Sequence, residues 1–382
     1  MIASYGLLGL AVASAALLAV NIAVSALVML ATVIVTLRGT LGVSMGGAKL
    51  RTSAVSQSAQ RATLLFLLRI SPALLTIAIV ALLCVPSYLK YEPGHTSERI
   101  GPMLALLAFA ALSMTMAGLW RTVTCWRATR RLARHWRRGA RSLDLQARQT
   151  TAWQFPAFRF EHPFPVVAVV GTIHPKLFVS NIVIDVLSDD ELEAAVAHER
   201  AHVAAADNFR RALMRSASDV FGLSRLARRL DRLWFEASES AADEAVARRS
   251  RDSALALASA LIKISRLIPP GATPALSIAP AAAFLVAPDD VRDNARVGVV
   301  SRVRRLVEFA DTIPERAALA ESSATYRSSL GCGIDTDRSS LLLRLTLLGG
   351  IILLLAFNSA ALTPRMLAST HNVIEQVLNH LD

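Results

Sequence analysis

The residues best suited to chemistry begin with Ala197-His198-Glu199-Arg200-Ala201-His202. Two residues four apart share one face of a helix. His198 and His202 would therefore aim two imidazoles at one point, with Glu199 beside them. A catalytic zinc needs neutral nitrogen ligands, an open position, and a carboxylate that can take a proton from water.

The stretch must be helical for this to work. Ser188-Asp189-Asp190-Glu191 has the S-x-x-E spacing of a capping box, which sets a helix start at Ser188. The three acids of the first turn favour the positive end of the helix dipole. Leu192, Ala195, Val196 and Ala197 continue with helix-forming apolar residues, so the helix should run from Asp189 to about Ala206.

A third protein ligand is required. Glu236 to Ala245 has a helical composition, and within it Glu239 and Asp243 are four apart. Glu239 can complete a His-His-Glu set. Asp243 can accept the free N–H of a ligand histidine and so fix its ring. Asp207, five residues after His202, is a further candidate for bracing the site at the end of the first helix.

His198-Glu199-Arg200-Ala201-His202, Asp207 and Glu239-Ser240-Ala241-Ala242-Asp243 match an H-E-x-x-H-x(4)-D … E-x-x-x-D pattern. In this the chain resembles integral-membrane gluzincin metallopeptidases of the beta-lactam-sensor antirepressor type. Val170-Gly171, His174 to Ser180 and Leu187 to Leu192 add to the likeness. The same stretch also resembles a more distant group of membrane proteases that process prenylated or misfolded proteins. The resemblance spans Phe164 to Arg248 and implies a zinc peptidase acting on a cytoplasmic protein such as a transcriptional repressor. One departure stands out: only some twenty residues follow Leu362, and no S-x-x-K set of a penicillin-binding sensor domain occurs there.

Composition places the chain in a bilayer, with 53% hydrophobic and 18% charged residues. Residues 1–37 carry no charge and lack a basic leader, so they read as a first span rather than a cleaved signal. A polar, weakly basic loop is expected over 38–69, a second span over 70–89 with Pro72 near its start, an outer loop over 90–99, and a third span over 100–120. A peptidase domain over 121–344, a fourth span over 345–362 and a short outer tail over 363–382 complete the layout. The resulting fold class is mainly α and integral to the membrane: four transmembrane helices, with an α+β gluzincin domain between spans 3 and 4.

Loops rich in Lys and Arg face the cytoplasm. Arg38, Lys49, Arg51 and Arg61 mark the first loop, and Arg121 to Arg141 opens the long third one. Both termini should therefore lie outside and the site should face the cytoplasm of a multi-pass protein of the cell membrane. The net charge of +12 permits nucleic-acid binding. The run Arg127 to Arg141 abuts a span, however, and carries Trp126 and Trp136, so contact with anionic lipid is the expectation and direct nucleic-acid contact is not. Cys84, Cys125 and Cys332 form no C-x-x-C and read as free thiols.

Phe164 to Val170 and Lys176 to Ile184 have strand character and flank a turn at Gly171 to Pro175. Extended peptides add to sheet edges, and Phe164–Val170 or Leu177–Ser180 could take a substrate in this way. His162 and His174 flank these strands; either could polarise a scissile carbonyl, but a loop histidine with no role is the expectation. Phe209 to Arg232 and Val299 to Ala310 read as basic amphipathic helices. Thr273 to Pro288 reads as irregular. Two other functions remain open: a quality-control or processing metalloprotease of the broader gluzincin group, and a non-catalytic membrane scaffold.

Overall fold

A computed structural model describes residues 2–40, 57–91, 101–144, 153, 155–217, 219–268, 282–284, 295–312 and 363–381. The expected fourth span over 345–362, the linker over 320–340 and Cys332 lie outside these residues. Cys84 and Cys125 are free thiols.

Among the described residues, three helices are long and apolar enough to cross a bilayer, by length and composition: Leu7–Leu30, Gln57–Tyr91 and Pro102–Arg138. The first belongs to α1 (Ile2–Thr40). The second comprises α2 (Gln57–Ile79), a π-helical turn at Val80–Cys84 and α3 (Val85–Tyr91). Pro86 accounts for that turn. Its ring leaves no room for the carbonyl four residues back and supplies no N–H, and a wide turn absorbs the misfit. The third is α4 (Pro102–Arg138), which carries the basic run on as one unbroken helix.

α2 begins well before its apolar run. Residues 57–69, expected in a loop, form its first turns. At 1.5 Å per residue, 35 residues reach about 50 Å, against a hydrocarbon core of about 30 Å. The surplus lies against the domain that follows α4, where Ala62, Phe66 and Ile70 pack with Met214, Trp234 and Ala237. Trp234 is thus a core residue, 1% exposed. The opposite end of the bundle gathers Leu8, Tyr88 and Leu104. It also holds the last described helix, α11 (Pro364–Leu381), where Ser87 Oγ donates to Leu367 O at 2.7 Å.

The domain itself is a small sheet covered by helices. β1 (Arg141–Ser142), β2 (Ala157–Phe160), β3 (Val167–Val170), β4 (Lys176–Ser180) and β5 (Ala282–Phe284) lie in the order β1-β2-β4-β3-β5. Gly171, at φ +113°, makes the turn between β3 and β4. β4 stops at Ser180, and Asn181–Val186 is helix α5, so strand character ends sooner than expected. β5 corrects the irregular reading of 273–288, because Ala283 pairs antiparallel with Val169. Three residues without alternation give no strand signal, and their partner lies more than a hundred residues away.

Helices α6 (Asp189–Ala204), α7 (Asp207–Ser216), α8 (Arg225–Ala247), α9 (Arg251–Leu267) and α10 (Ala295–Thr312) complete the domain. One apolar core joins the sheet to them through Val167, Leu177, Leu192, Val246, Leu257, Leu261 and Leu306.

Candidate metal centre

The capping box forms at the start of α6. Ser188 Oγ accepts from Glu191 N–H, and Glu191 Oε2 accepts from Ser188 N–H at 2.8 Å. Glu191 also ties the helix to α9 through Ser259 Oγ at 2.6 Å and Lys263 Nζ at 2.8 Å. This fixes the rotation of α6, which buries His198, Glu199 and His202.

α6 ends at Ala204. Ala206 takes a left-handed conformation at φ 54°, and the chain turns at once into α7. Asp207 is therefore the first residue of α7 rather than the end of α6. A continued helix would have carried it past His202. The turn instead brings Asp207 Oδ2 to 2.8 Å from His202 Nδ1.

α8 crosses beneath α6. It places Glu239 Oε1 at 3.3 Å from His202 Nε2 and Glu239 Oε2 at 3.6 Å from His198 Nε2. The two Nε2 atoms lie 3.2 Å apart. One turn further along α8, Asp243 Oδ1 lies 3.1 Å from His198 Nδ1. Among the described residues, His198, His202 and Glu239 form the group whose ligand atoms could share one ion. The donor set fits zinc. At zinc–ligand lengths of about 2.0–2.1 Å, tetrahedral edges are about 3.3 Å, close to the separations seen. Glu239 Oε2 pairs with Arg302 Nη1 at 3.0 Å, while Oε1, although buried, accepts no well-aligned hydrogen bond. Buried polar atoms without partners are costly.

Glu199 is wholly buried beside this group. Its Oε2 accepts from Val169 N–H at 3.1 Å, tying α6 to β3, and its Oε1 has no partner. Burial raises its carboxyl to about 7 against the pull of His202 and His198. A carboxyl near neutrality can both take and return a proton. Burial pushes His202 down, but Glu239 and Asp207 outweigh it and hold the imidazole up to about 10. Burial likewise pushes Glu239 up, yet His202 and Arg302 hold it well below the usual carboxylate range. The pocket is made for positive charge.

Residues 127–317, half of the chain, match Peptidase family M48. The chain belongs to this family. It is therefore a membrane-associated zinc metallopeptidase, and the family match stands at that level without bringing antirepressor specificity. No curated protein and no solved structure matches the chain.

Around the metal group of this M48 peptidase, two elements escape a sequence reading. Asn208 Nδ2 donates to Val169 O and Gly171 O, both at 3.1 Å, and so holds β3 against α7. Arg302, expected only as one of the charges of a basic amphipathic helix, is buried among the acids of α8. Val299, Arg302, Leu306 and Ala310 form one buried stripe of α10. An arginine on an apolar stripe signals a buried counter-charge. His162 lies elsewhere, against Trp136 and Phe160, and accepts from Phe164 N–H. His174 is exposed. Neither joins the group.

Proposed function

We propose that this M48 peptidase is a membrane-embedded zinc endopeptidase that hydrolyses an extended segment of a cytoplasmic protein. The observation that carries this is the convergence of His198 Nε2, His202 Nε2 and Glu239 Oε1 beside the unpartnered Glu199 Oε1. His198, His202 and Glu239 hold the ion. Asp243 and Asp207 fix the two rings through their Nδ1 atoms. A zinc ion there supplies a Lewis acid that lowers the pKa of water toward neutral and polarises a carbonyl. Glu199 takes the proton of the attacking water on Oε1 and delivers it to the leaving amine, while Val169 N–H keeps the carboxylate in place.

The substrate lies as an extended strand on the β5 side of β3 and takes the place of β5, since β4 fills the other side. β5 of this chain runs along that side of β3, against α6 and α7, which supports a path for extended backbone there. The cytoplasmic setting rests on the excess of Lys and Arg in 38–69 and after Trp120. A repressor as substrate rests on the resemblance to antirepressors, and cleavage of the chain's own loop belongs to the same reading. A processing protease of broad range is the second reading, and it rests on the resemblance to membrane proteases that process prenylated or misfolded proteins. The complete ligand set with Glu199 speaks against a scaffold.

The test is cleavage by purified protein and in cells. Glu199→Gln should retain zinc and lose cleavage by a factor on the order of 10²–10⁴; undiminished cleavage refutes the mechanism. New protein N-termini, compared between wild-type and Glu199→Gln cells, separate the substrates. One DNA-binding repressor supports signalling, and many membrane proteins support processing.

A further inference from the structure

Arg302 reaches the centre from α10, a helix that contributes no metal ligand. Its Nε donates to Asp243 Oδ2 at 2.9 Å and its Nη2 to Asp243 Oδ1 at 2.7 Å. This is the two-pronged match of guanidinium to carboxylate. The third nitrogen, Nη1, pairs with Glu239 Oε2 at 3.0 Å. One planar group thus spans two carboxylates a helical turn apart on α8. The side chain is only 6% exposed, so these pairs work in a poorly solvated place, where screening is weak.

Each contact touches a group that faces the metal position. Asp243 Oδ1 is shared between Arg302 Nη2 and His198 Nδ1. Glu239 Oε2 is engaged by Arg302, which leaves Oε1, the oxygen nearer His202, free. From this we infer that Arg302 is a positioning residue that clamps Glu239 and Asp243, so that Glu239 offers the ion one oxygen and His198 presents its Nε2. This rests on the zinc-peptidase reading and extends it: the centre is complete only when α10 is docked.

The opposite role is also chemically coherent, and the two differ in sign. Arg302 Nη2 stands 3.5 Å from His198 Nε2, close to where an ion would sit. A guanidinium acting only as a substitute cation would compete with zinc, and its removal would tighten zinc binding. A clamp predicts weaker binding. Lysine separates charge from shape, since an ammonium keeps the charge but cannot span both carboxylates.

Zinc affinity of the purified full chain, measured by competition with a fluorescent chelator, decides between them. Arg302→Ala should bind zinc 10–100-fold more weakly than wild type, the range for loss of a group that orients ligands. Arg302→Lys should recover only a minor part, and Arg304→Ala, at an exposed position of α10, should match wild type. With cobalt in place of zinc, Arg302→Ala should change the visible absorption as the released carboxylate alters the coordination. Circular dichroism of the metal-free proteins reports folding. Should Arg302→Ala not fold, Arg302→Gln, whose shorter amide keeps a donor only near the Nε position and carries no charge, is read instead. Zinc binding by Arg302→Ala equal to or tighter than wild type overturns the clamp, as does full recovery by Arg302→Lys. Zinc binding that is unchanged in His198→Ala overturns the peptidase reading itself, whatever Arg302 does.

Discussion

Arg69 meets Asp219 and Asp231 where α2 crosses the start of α8, while Arg302 meets Glu239 and Asp243 where α10 crosses the far part of the same helix. Both arginines are buried. At the first crossing the valences are closed. Arg69 Nε donates to Asp231 at 3.1 Å, Nη1 reaches both oxygens of Asp219, and Nη2 donates to Met214 O. Asp219 Oδ1 also accepts from Gly222 N–H at 2.7 Å. Gly222 has no side chain for a reason: a Cβ there would lie 2.6 Å from Asp219 Oδ1. At the second crossing Arg302 takes Glu239 Oε2, but Glu239 Oε1 and Glu199 Oε1 stay buried without hydrogen bonds. The contrast separates a joint from a site. A buried cluster that satisfies itself holds two elements together, whereas one that leaves atoms unpaired around a point is waiting for another group.

If the contrast is right, mutations at the two crossings will fail in different ways. His198→Ala should abolish stoichiometric zinc binding and reduce cleavage to background, with the helical content of the metal-free protein preserved. Metal analysis and circular dichroism on one preparation check this. Retained stoichiometric zinc would show that the open cluster is not the metal centre.

Arg69→Ala should do the reverse. It strands Asp219, whose side chain is buried, and the more exposed Asp231. Breaking such a pair costs about 3–5 kcal/mol in a closed site, and the exposure of Asp231 argues for the lower end. The unfolding midpoint should fall, while zinc affinity below that midpoint stays within about twofold. A change in zinc affinity comparable to that of a ligand mutation would show that α2 is part of the site and not only its mooring.

Asp207→Asn probes the boundary between the two behaviours. The amide keeps the shape but loses the charge that fixes His202 Nδ1 at 2.8 Å. Zinc affinity should fall 10–100-fold, with little change in the metal-free unfolding midpoint.

How much of this could be read from sequence depends on the distance between partners. The capping box, the histidine pair and the Glu239–Asp243 spacing are contacts within a helix, and period alone places them on one face. Asp207 was visible as an acid near the site, but its role depends on the left-handed Ala206, which no residue type announces. Arg69 was hidden because hydropathy treats a charge as the edge of a span; it lies beside Ile70 on the stripe that meets α8. Arg302 is hidden among Arg304 and Arg305, which mark a basic amphipathic helix without marking the arginine that faces inward. For both arginines the counter-charge comes from a different helix, so no local pattern records it.

The smallest effect tests the mooring of α6 itself. Burial pushes the Glu191 carboxyl up, but Lys263, Ser259 and the Ser188 amide outweigh this and hold it below its usual value of 4.5. A carboxyl with a lowered folded pKa stabilises the protein above the unfolded pKa and loses that contribution as pH falls. Glu191→Gln keeps the size and removes the charge. It should cost about 1 kcal/mol at pH 7, the low end for charge-assisted bonds because Lys263 is partly exposed. The difference from wild type should shrink as pH drops below about 4.5 and vanish once wild-type Glu191 is protonated in the folded state. Denaturant unfolding of both proteins across that range measures it, and taking the difference cancels every other acid in the chain. A gap that persists unchanged at low pH would mean that α6 is held by the shape of its cap and by apolar packing on α9, and that the charge at Glu191 contributes nothing to the rotation that aims His198 and His202.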